Sequence, residues 1–230
     1  MCHKTLPQGY SFFDKIDLKN NKKQFWTVQG ICLATIAVML GIGWLIESPI
    51  KVLNSVYNAE NNTESIIAVV VLIVGFVLYI FAHEAVHGLF MYAFCKTKIK
   101  YGFVGWAAYA GSSAYYDKKH YIIIALAPVV VWGVVFAVLN IFFHSGIWFW
   151  VIWFLQICNI SGAAGDFFCV YKTARYPKDI LVNDTGMEMQ IFCRGAVPES
   201  NNESNNESIP KSVEEAEETE TDKQTENNID

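Results

Sequence analysis

Residues 66–94 read IIAVVVLIVGFVLYIFAHEAVHGLFMYAF, and this stretch decides the fold. Its only charged or titrating side chains near neutral pH are one glutamate and two histidines close to its C-terminal end. About 20 apolar residues are enough to cross the hydrocarbon core of a bilayer as a helix, so this stretch is long enough to span a membrane. A continuous apolar run also excludes a strand of a membrane β-barrel, in which apolar and polar residues alternate.

Three other stretches have the same character, namely residues 25–46, 121–143 and 147–170. The composition agrees, because 53% of the 230 residues are hydrophobic and 17% are charged, where a soluble domain has about a quarter charged. The sequence therefore predicts an all-α membrane protein with four transmembrane helices. The first helix follows a long polar leader and exceeds the apolar core of a signal peptide, which favours a retained helix.

The lysines and arginines predict the orientation of the four spans. Residues 1–24 and residues 95–120 each carry five lysines, whereas residues 47–65 carry one. The segment after residue 170 begins with three more basic residues. Because basic loops remain in the cytoplasm, we expect both termini and the 95–120 loop there, in the cell membrane if the source is bacterial.

The second span contains a His-Glu-Ala-Val-His sequence at residues 83–87. On a helix, His83 and His87 lie on one face, so both imidazoles can reach one ion. Two neutral imidazoles and one carboxylate leave a zinc position open for water, and Glu84 can serve as the general base. The alternative is a pair of core histidines with a hydrogen-bonded glutamate, but an unligated carboxylate in mid-membrane costs about 2.5–3.5 kcal/mol.

The fourth span contains the predicted third ligand, Asp166. It lies about as far from the outer end of its span as His83 does from its own, so the two meet at similar depth in the inner half of the bilayer. Zinc with ionised Glu84 and Asp166 is also neutral overall, which a buried site needs. The alternative is a carboxylate that snorkels or caps at the inner boundary.

Asn159 is a further candidate, since Asn159, Gly162 and Asp166 share one helical face at spacings of three and four residues. Its amide could donate to a developing oxyanion or hold the substrate backbone. The alternative is a hydrogen bond between helices, and the residues alone leave both possibilities open.

The 95–120 loop shows a two-residue alternation from Tyr101 to Tyr109, with a candidate turn at Gly111-Ser112-Ser113. We predict a short membrane-associated β-hairpin between the second and third spans, whose edge could pair with an unwound substrate. An interfacial aromatic loop that anchors the bilayer boundary is an equal alternative.

These residues resemble the site-2 protease group of intramembrane zinc metalloproteases. They are more closely similar to a family of small membrane proteins described as putative zincin peptidases. The resemblance covers about residues 66–170 and rests on His83 to His87, on Ala127-Pro128 in the third span and on Asn159 to Asp166. It implies that His83, His87 and Asp166 bind zinc, that Glu84 is the base and that Asn159 assists with substrate.

The sequence thus predicts an intramembrane zinc metalloprotease that hydrolyses a transmembrane or membrane-adjacent segment of another protein. The alternatives are a catalytically inactive zinc-binding membrane protein and a metal transporter that uses the same ligands. Basic residues are few and scattered, so no nucleic-acid partner is expected.

Four regions follow from this interpretation: a cytoplasmic N-terminal segment (1–24), a four-helix transmembrane metalloprotease-like domain (25–172), a short cytoplasmic segment (173–195) and a disordered acidic tail (196–230). The tail holds 11 acidic and two basic residues with almost nothing apolar, so it cannot form a core. The six cysteines form no Cys-x-x-Cys pair, and we expect them to be reduced.

Overall fold

A computed structural model describes residues 2–17, 20–58, 62–104, 107–186 and 188–195 of the chain. The predicted acidic tail lies outside these residues. Within them the fold is mostly helical, with six helices and seven strands. The helices are α1 (Lys22–Ile46), α2 (Pro49–Tyr57), α3 (Thr63–Cys95), α4 (Lys118–Phe142), α5 (Gly146–Gly162) and α6 (Ala164–Arg175).

Four helical segments of the described chain are long and apolar enough to cross a membrane, and they match the four predicted spans. They are α1, α3, α4 and the α5–α6 pair. Large apolar side chains on the outer faces of α1 and α3 are exposed, among them Leu45, Val69 and Leu78. Helix faces with so many exposed apolar side chains are unfavourable in water and favourable in lipid. The four segments therefore indicate a membrane protein.

The fourth span is not the single helix that the sequence predicted. α5 ends at Gly162 and α6 begins at Ala164, with Ala163 between them. Gly162 and Gly165 flank this interruption, and glycine is the poorest helix former after proline. The interruption places Asp166 in the first turn of a new helix, instead of on a continuous face with Asn159.

The predicted hairpin between the second and third spans is present. Strand β3 (Ile99–Val104) pairs antiparallel with β4 (Ala107–Ser112), with Tyr101 opposite Ala110. The predicted turn position is wrong, because Gly111 and Ser112 lie within β4, and the last residue of β3, Val104, lies opposite the first residue of β4, Ala107. The alternation in the sequence is unbroken from residue 101 to 109, so periodicity alone did not separate the two strands.

A five-stranded antiparallel sheet corrects the all-α prediction. Its strands are β1 (Cys2–His3), β2 (Tyr10–Ile16), β5 (Tyr115–Asp117), β6 (Ile180–Asp184) and β7 (Met189–Arg194), in the order β1-β5-β6-β7-β2. The strands come from the N-terminal segment, the 95–120 loop and the segment that follows the last span. One sheet thus joins all three segments. Residues 173–195, expected to be only a short segment, contribute two of the strands.

The main core lies between this sheet and the adjacent ends of the helices. Tyr116, Ile180, Val182 and Ile191 of the sheet are at most 1% exposed and pack in one cluster with apolar residues of α3, α4 and α6. Burial of these side chains fixes the sheet against the helix ends that carry the candidate site.

The prediction that all six cysteines are reduced is wrong for two of them. Cys2 of β1 and Cys95, the last residue of α3, form a disulfide with a Cα–Cα distance of 5.7 Å. The other four cysteines are free thiols. The two paired residues are 93 positions apart, and only the contact of β1 with the end of α3 brings them together.

Candidate metal centre

His83, His87 and Asp166, the three predicted ligands, meet at one point of the structure. His83 and His87 lie one turn apart on α3, and their ring centroids are 5.0 Å apart. Asp166 Oδ2 lies 3.5 Å from His83 Nε2 and 3.6 Å from His87 Nε2. One ligand atom from each residue lies within 4.8 Å of the other two, so the three residues could hold a metal ion.

These separations fit a shared zinc ion. Two donors bound to one tetrahedral zinc at about 2.0–2.1 Å are about 3.3 Å apart, and the observed Nε2–Oδ2 distances exceed this only slightly. Two imidazole nitrogens and one carboxylate oxygen are also the donor set of catalytic zinc sites, which keep a fourth position open. The donors and their spacing therefore suit a zinc ion.

The position of Asp166 at the start of α6 favours its ionised form. The first N–H groups of a helix have no intrahelical partner and carry partial positive charge. Asp166 lies in this first turn, and its side chain is 28% exposed. A carboxylate ligand at this place is stabilised by the helix that carries it.

His87 is oriented by the backbone of α4. Its Nδ1 lies 2.9 Å from the carbonyl oxygen of Ile124. A carbonyl oxygen only accepts, so Nδ1 carries a proton, and in the neutral imidazole Nε2 then has its lone pair free for an ion. Ile124 lacks its usual helical donor, because the residue four positions later is Pro128, which has no N–H. The proline noted in the sequence thus frees the carbonyl that holds His87.

His83 is held by side chains instead. The Tyr79 hydroxyl lies 2.8 Å from His83 Nδ1 and donates over 3.0 Å to Asn159 Oδ1. Asn159 Nδ2 in turn donates over 3.1 Å to the carbonyl oxygen of Val129. The row links α3, α5 and α4, and it leaves Nε2 of His83 directed towards Asp166.

Asn159, predicted to contact substrate or an oxyanion, is fully buried at 0% exposure. Both polar atoms of its amide are hydrogen-bonded within the protein. The interhelical alternative therefore describes the contacts that the structure shows, and a substrate contact would require Asn159 to give up one of them. The role in substrate binding stays a prediction.

Glu84 projects beside the three ligands into a cavity of about 1050 Å³. The cavity is lined by all three ligands and by Ala108, Tyr109 and Ala110 of β4, among others. The backbone N–H of Ala110 interacts with the Glu84 carboxylate. A partly buried glutamate next to an ion site and open to a cavity can accept and return a proton.

The sheet also contributes an acid that the sequence did not reveal. Asp184, at the end of β6, lines the same cavity and accepts from Gly186 N over 2.8 Å and from the Tyr121 hydroxyl over 3.4 Å. Burial raises the pKa of the Asp184 carboxyl, although the Gly186 N–H opposes this shift. No local pattern marks Asp184, because its position depends on the sheet. Tyr79 did carry a signal, since it lies four residues before His83 on the same face of α3.

Residues 76–181 match the family described as putative zincin peptidase. The matched part includes both histidines, Glu84 and Asp166, and it runs from α3 to the start of β6. No curated protein and no solved structure matches the chain. The family match points to zincin-like proteins over this part of the chain, and the three ligands it includes have a geometry compatible with zinc.

Proposed function

We propose that the protein is an intramembrane zinc metallopeptidase that hydrolyses peptide bonds of membrane protein substrates. One observation carries the proposal: three zinc-type ligand atoms within 4.8 Å share a cavity with an adjacent glutamate, between helices long enough to span a membrane. A family match to zincin peptidases supports the same class of reaction.

The chemistry follows from the residues around the cavity. A zinc ion held by His83, His87 and Asp166 would polarise the scissile carbonyl and lower the pKa of a bound water towards neutrality. Glu84 then takes a proton from the attacking water and delivers it to the leaving amine. His83 and His87 on α3 and Asp166 on α6 would hold the ion at a fixed position beside Glu84.

The substrate in this proposal is a transmembrane or membrane-adjacent segment that has locally unwound. A helix occupies its own carbonyls in hydrogen bonds, so cleavage requires an extended stretch of substrate. Within the described residues β4 pairs with β3 on one side only, and its residues 108–110 line the cavity. The part of the remaining edge at residues 108 and 109, beside the Ala110 N–H that meets Glu84, offers main-chain groups to an extended peptide, with little demand on its sequence.

The site lies on the cytoplasmic side in this proposal. The five-stranded sheet collects the three segments that carry most of the basic residues, and basic segments remain in the cytoplasm. Both termini and the hairpin are then cytoplasmic, and the cavity opens towards the inner half of the bilayer.

The decisive experiment compares the wild type with Glu84→Gln in cells, by sequencing the new N-termini in the membrane fraction. We expect cleavage within or beside transmembrane segments in the wild type and none with Glu84→Gln, although both proteins retain zinc. Glu64→Gln is the matched control, because Glu64 lies at the other end of α3 and accepts from Trp148. Identical sets of N-termini from the wild type and Glu84→Gln would refute the proposal.

Zinc measurements separate the protease from the two other interpretations. Purified His87→Ala and Asp166→Ala should lose the zinc that the wild type retains. Zinc flux into liposomes that continues with Glu84→Gln would indicate a transporter. A cellular phenotype that survives Glu84→Gln but not His83→Ala would indicate a zinc ion that only stabilises the fold.

A further inference from the structure

We propose that Tyr79 and Asn159 are positioning residues that set the tautomer of His83, so that its Nε2 is free to bind the ion. The inference rests on the metal centre proposed above and assigns Asn159 a role other than contact with substrate. It follows from the direction in which each hydrogen bond of the row must run.

The donor and acceptor of each hydrogen bond can be assigned by starting from a group that can only accept. The Val129 carbonyl oxygen has no proton, so the Asn159 amide turns its NH₂ group towards it, over 3.1 Å. This leaves Oδ1 of Asn159 facing the Tyr79 hydroxyl, over 3.0 Å. Since Oδ1 also only accepts, the single hydroxyl proton of Tyr79 points to Asn159.

These directions decide which atom donates in the contact between Tyr79 and His83. The Tyr79 oxygen lies 2.8 Å from His83 Nδ1 and has no second proton to offer, so Nδ1 must be the donor. A neutral imidazole that carries its proton on Nδ1 has its lone pair on Nε2, and this is the atom 3.5 Å from Asp166. A backbone carbonyl on α4 thus sets the protonation of a histidine on α3.

The surroundings of the row keep water away from Asn159, which is 0% exposed. Tyr79 and His83 are 8% and 9% exposed, and both line the cavity. The Tyr79 ring packs against Trp132 and Phe136, with centroids 6.2 and 5.8 Å away. A hydrogen bond lost at Asn159 would therefore not be replaced by water, and the remaining polar groups would change their directions.

The inference makes an unusual prediction for Asn159→Leu. Leucine has the same number and branching of side-chain heavy atoms as asparagine but accepts no hydrogen bond, so the Tyr79 proton is released. The nearest acceptor for it is His83 Nδ1, and donation there moves the imidazole proton to Nε2, where it blocks the ion. Removing the Tyr79 hydroxyl as well abolishes this harmful contact.

The experiment measures the zinc affinity of the full-length protein in detergent, by competition with a chromophoric chelator. We expect Tyr79→Phe to weaken zinc binding about tenfold and Asn159→Leu about a hundredfold. The double variant should bind more tightly than Asn159→Leu alone, at about the level of Tyr79→Phe. A defect of packing alone would make the double variant the weakest binder of the three.

Tyr92→Phe is the matched control, since Tyr92 lies on the same helix, is 54% exposed and should bind zinc as the wild type does. If Asn159→Leu fails to fold, Tyr79→Phe decides alone, because it removes one oxygen atom. Wild-type affinity in Tyr79→Phe, or normal affinity but lost turnover in Asn159→Leu, overturns the inference while leaving the metallopeptidase proposal intact. A wild type that binds no zinc overturns both.

Discussion

Nδ1 of His87 donates to the carbonyl oxygen of Ile124 over 2.9 Å, four residues before the proline of α4. In a regular helix this oxygen would accept from the N–H of residue 128, which Pro128 lacks. A buried carbonyl in a membrane needs another donor where a helical N–H is missing, and here a metal-ligand candidate supplies it. The missing hydrogen bond within α4 and the orientation of His87 therefore have one cause.

Pro128→Ala should separate zinc affinity from stability. An alanine N–H would compete with His87 for the oxygen of Ile124, so we expect zinc affinity to fall about tenfold, as for loss of an outer contact of a metal ligand. The melting temperature of the zinc-free protein should not fall, because alanine is a far better helix residue than proline. Pro49→Ala, at the start of α2, is the control and should leave zinc affinity unchanged. Undiminished affinity in Pro128→Ala would contradict this account of His87.

Gly111→Ala should destabilise the contact between the hairpin and the sheet. A Cβ at Gly111 would overlap the backbone carbonyl of Thr185 and lie 2.7 Å from the nitrogen of Gly186. Backbone cannot move aside as a side-chain end can, so we expect a loss of about 1–3 kcal/mol in unfolding free energy. Gly41→Ala is the control, since nothing lies within 4 Å of a Cβ there. Equal melting temperatures for both variants would show that the hairpin does not pack on the sheet in this way.

Cys2→Ser should destabilise the oxidised protein. The disulfide to Cys95 fastens the N-terminal strand to the end of the helix that carries both histidines. Loss of a native disulfide costs about 2–4 kcal/mol, and we expect a reductant to have the same effect on the wild type. Cys32→Ser, which removes a free thiol in α1, should change neither the melting temperature nor its response to reductant. A wild type insensitive to reductant would mean that the bond is absent in solution.

Asp117 should stabilise the protein in a pH-dependent way. Partial burial disfavours its charged form, but the backbone N–H of His120, at 2.9 Å, and the His120 side chain lower the pKa of Asp117 to about 2, below the usual 3.8. A carboxyl with a lowered pKa contributes its full stabilisation above about pH 4, and this is lost as the pH falls towards 2. Asp117→Ala should therefore cost about 1 kcal/mol at pH 7, from the lost cap of α4.

The same variant should melt like the wild type near pH 2, where Asp117 is increasingly protonated. Asp117→Asn keeps a cap acceptor without the charge, so its melting temperature at pH 7 should lie between those of the wild type and Asp117→Ala. A difference between Asp117→Ala and the wild type that persists undiminished at pH 2 would contradict the assigned pKa.

The sequence predicted the spans and the three candidate ligands for separate physical reasons. A long, continuous apolar run can cross a bilayer only as a helix, so the four spans could be located from the apolar runs alone. A helix fixes the spacing of His83 and His87, and the depth of Asp166 in its span placed it opposite them. The helix repeat thus fixed the relative position of the two histidines, and the bilayer fixed the depth of Asp166.

The five-stranded sheet could not be predicted in the same way. β1 has two residues and β5 has three, too few for a periodic pattern, and their partners lie in other parts of the chain. The disulfide, the contact of Gly111 with Thr185 and the position of Asp184 all depend on this sheet. The directions of the hydrogen bonds around Asn159 likewise depend on carbonyl groups, which a sequence does not distinguish from one another.

The ligands of the metal centre are far apart in the order of synthesis. The two histidines belong to the second span, whereas Asp166 belongs to a helix that begins only at Ala164. A nascent chain with three inserted spans offers a zinc ion two nitrogens and no carboxylate from α6. Complete coordination becomes possible only when the last span has been translated and inserted, so metal capture would mark the end of biogenesis and, in the proposed peptidase, would withhold activity from every shorter intermediate.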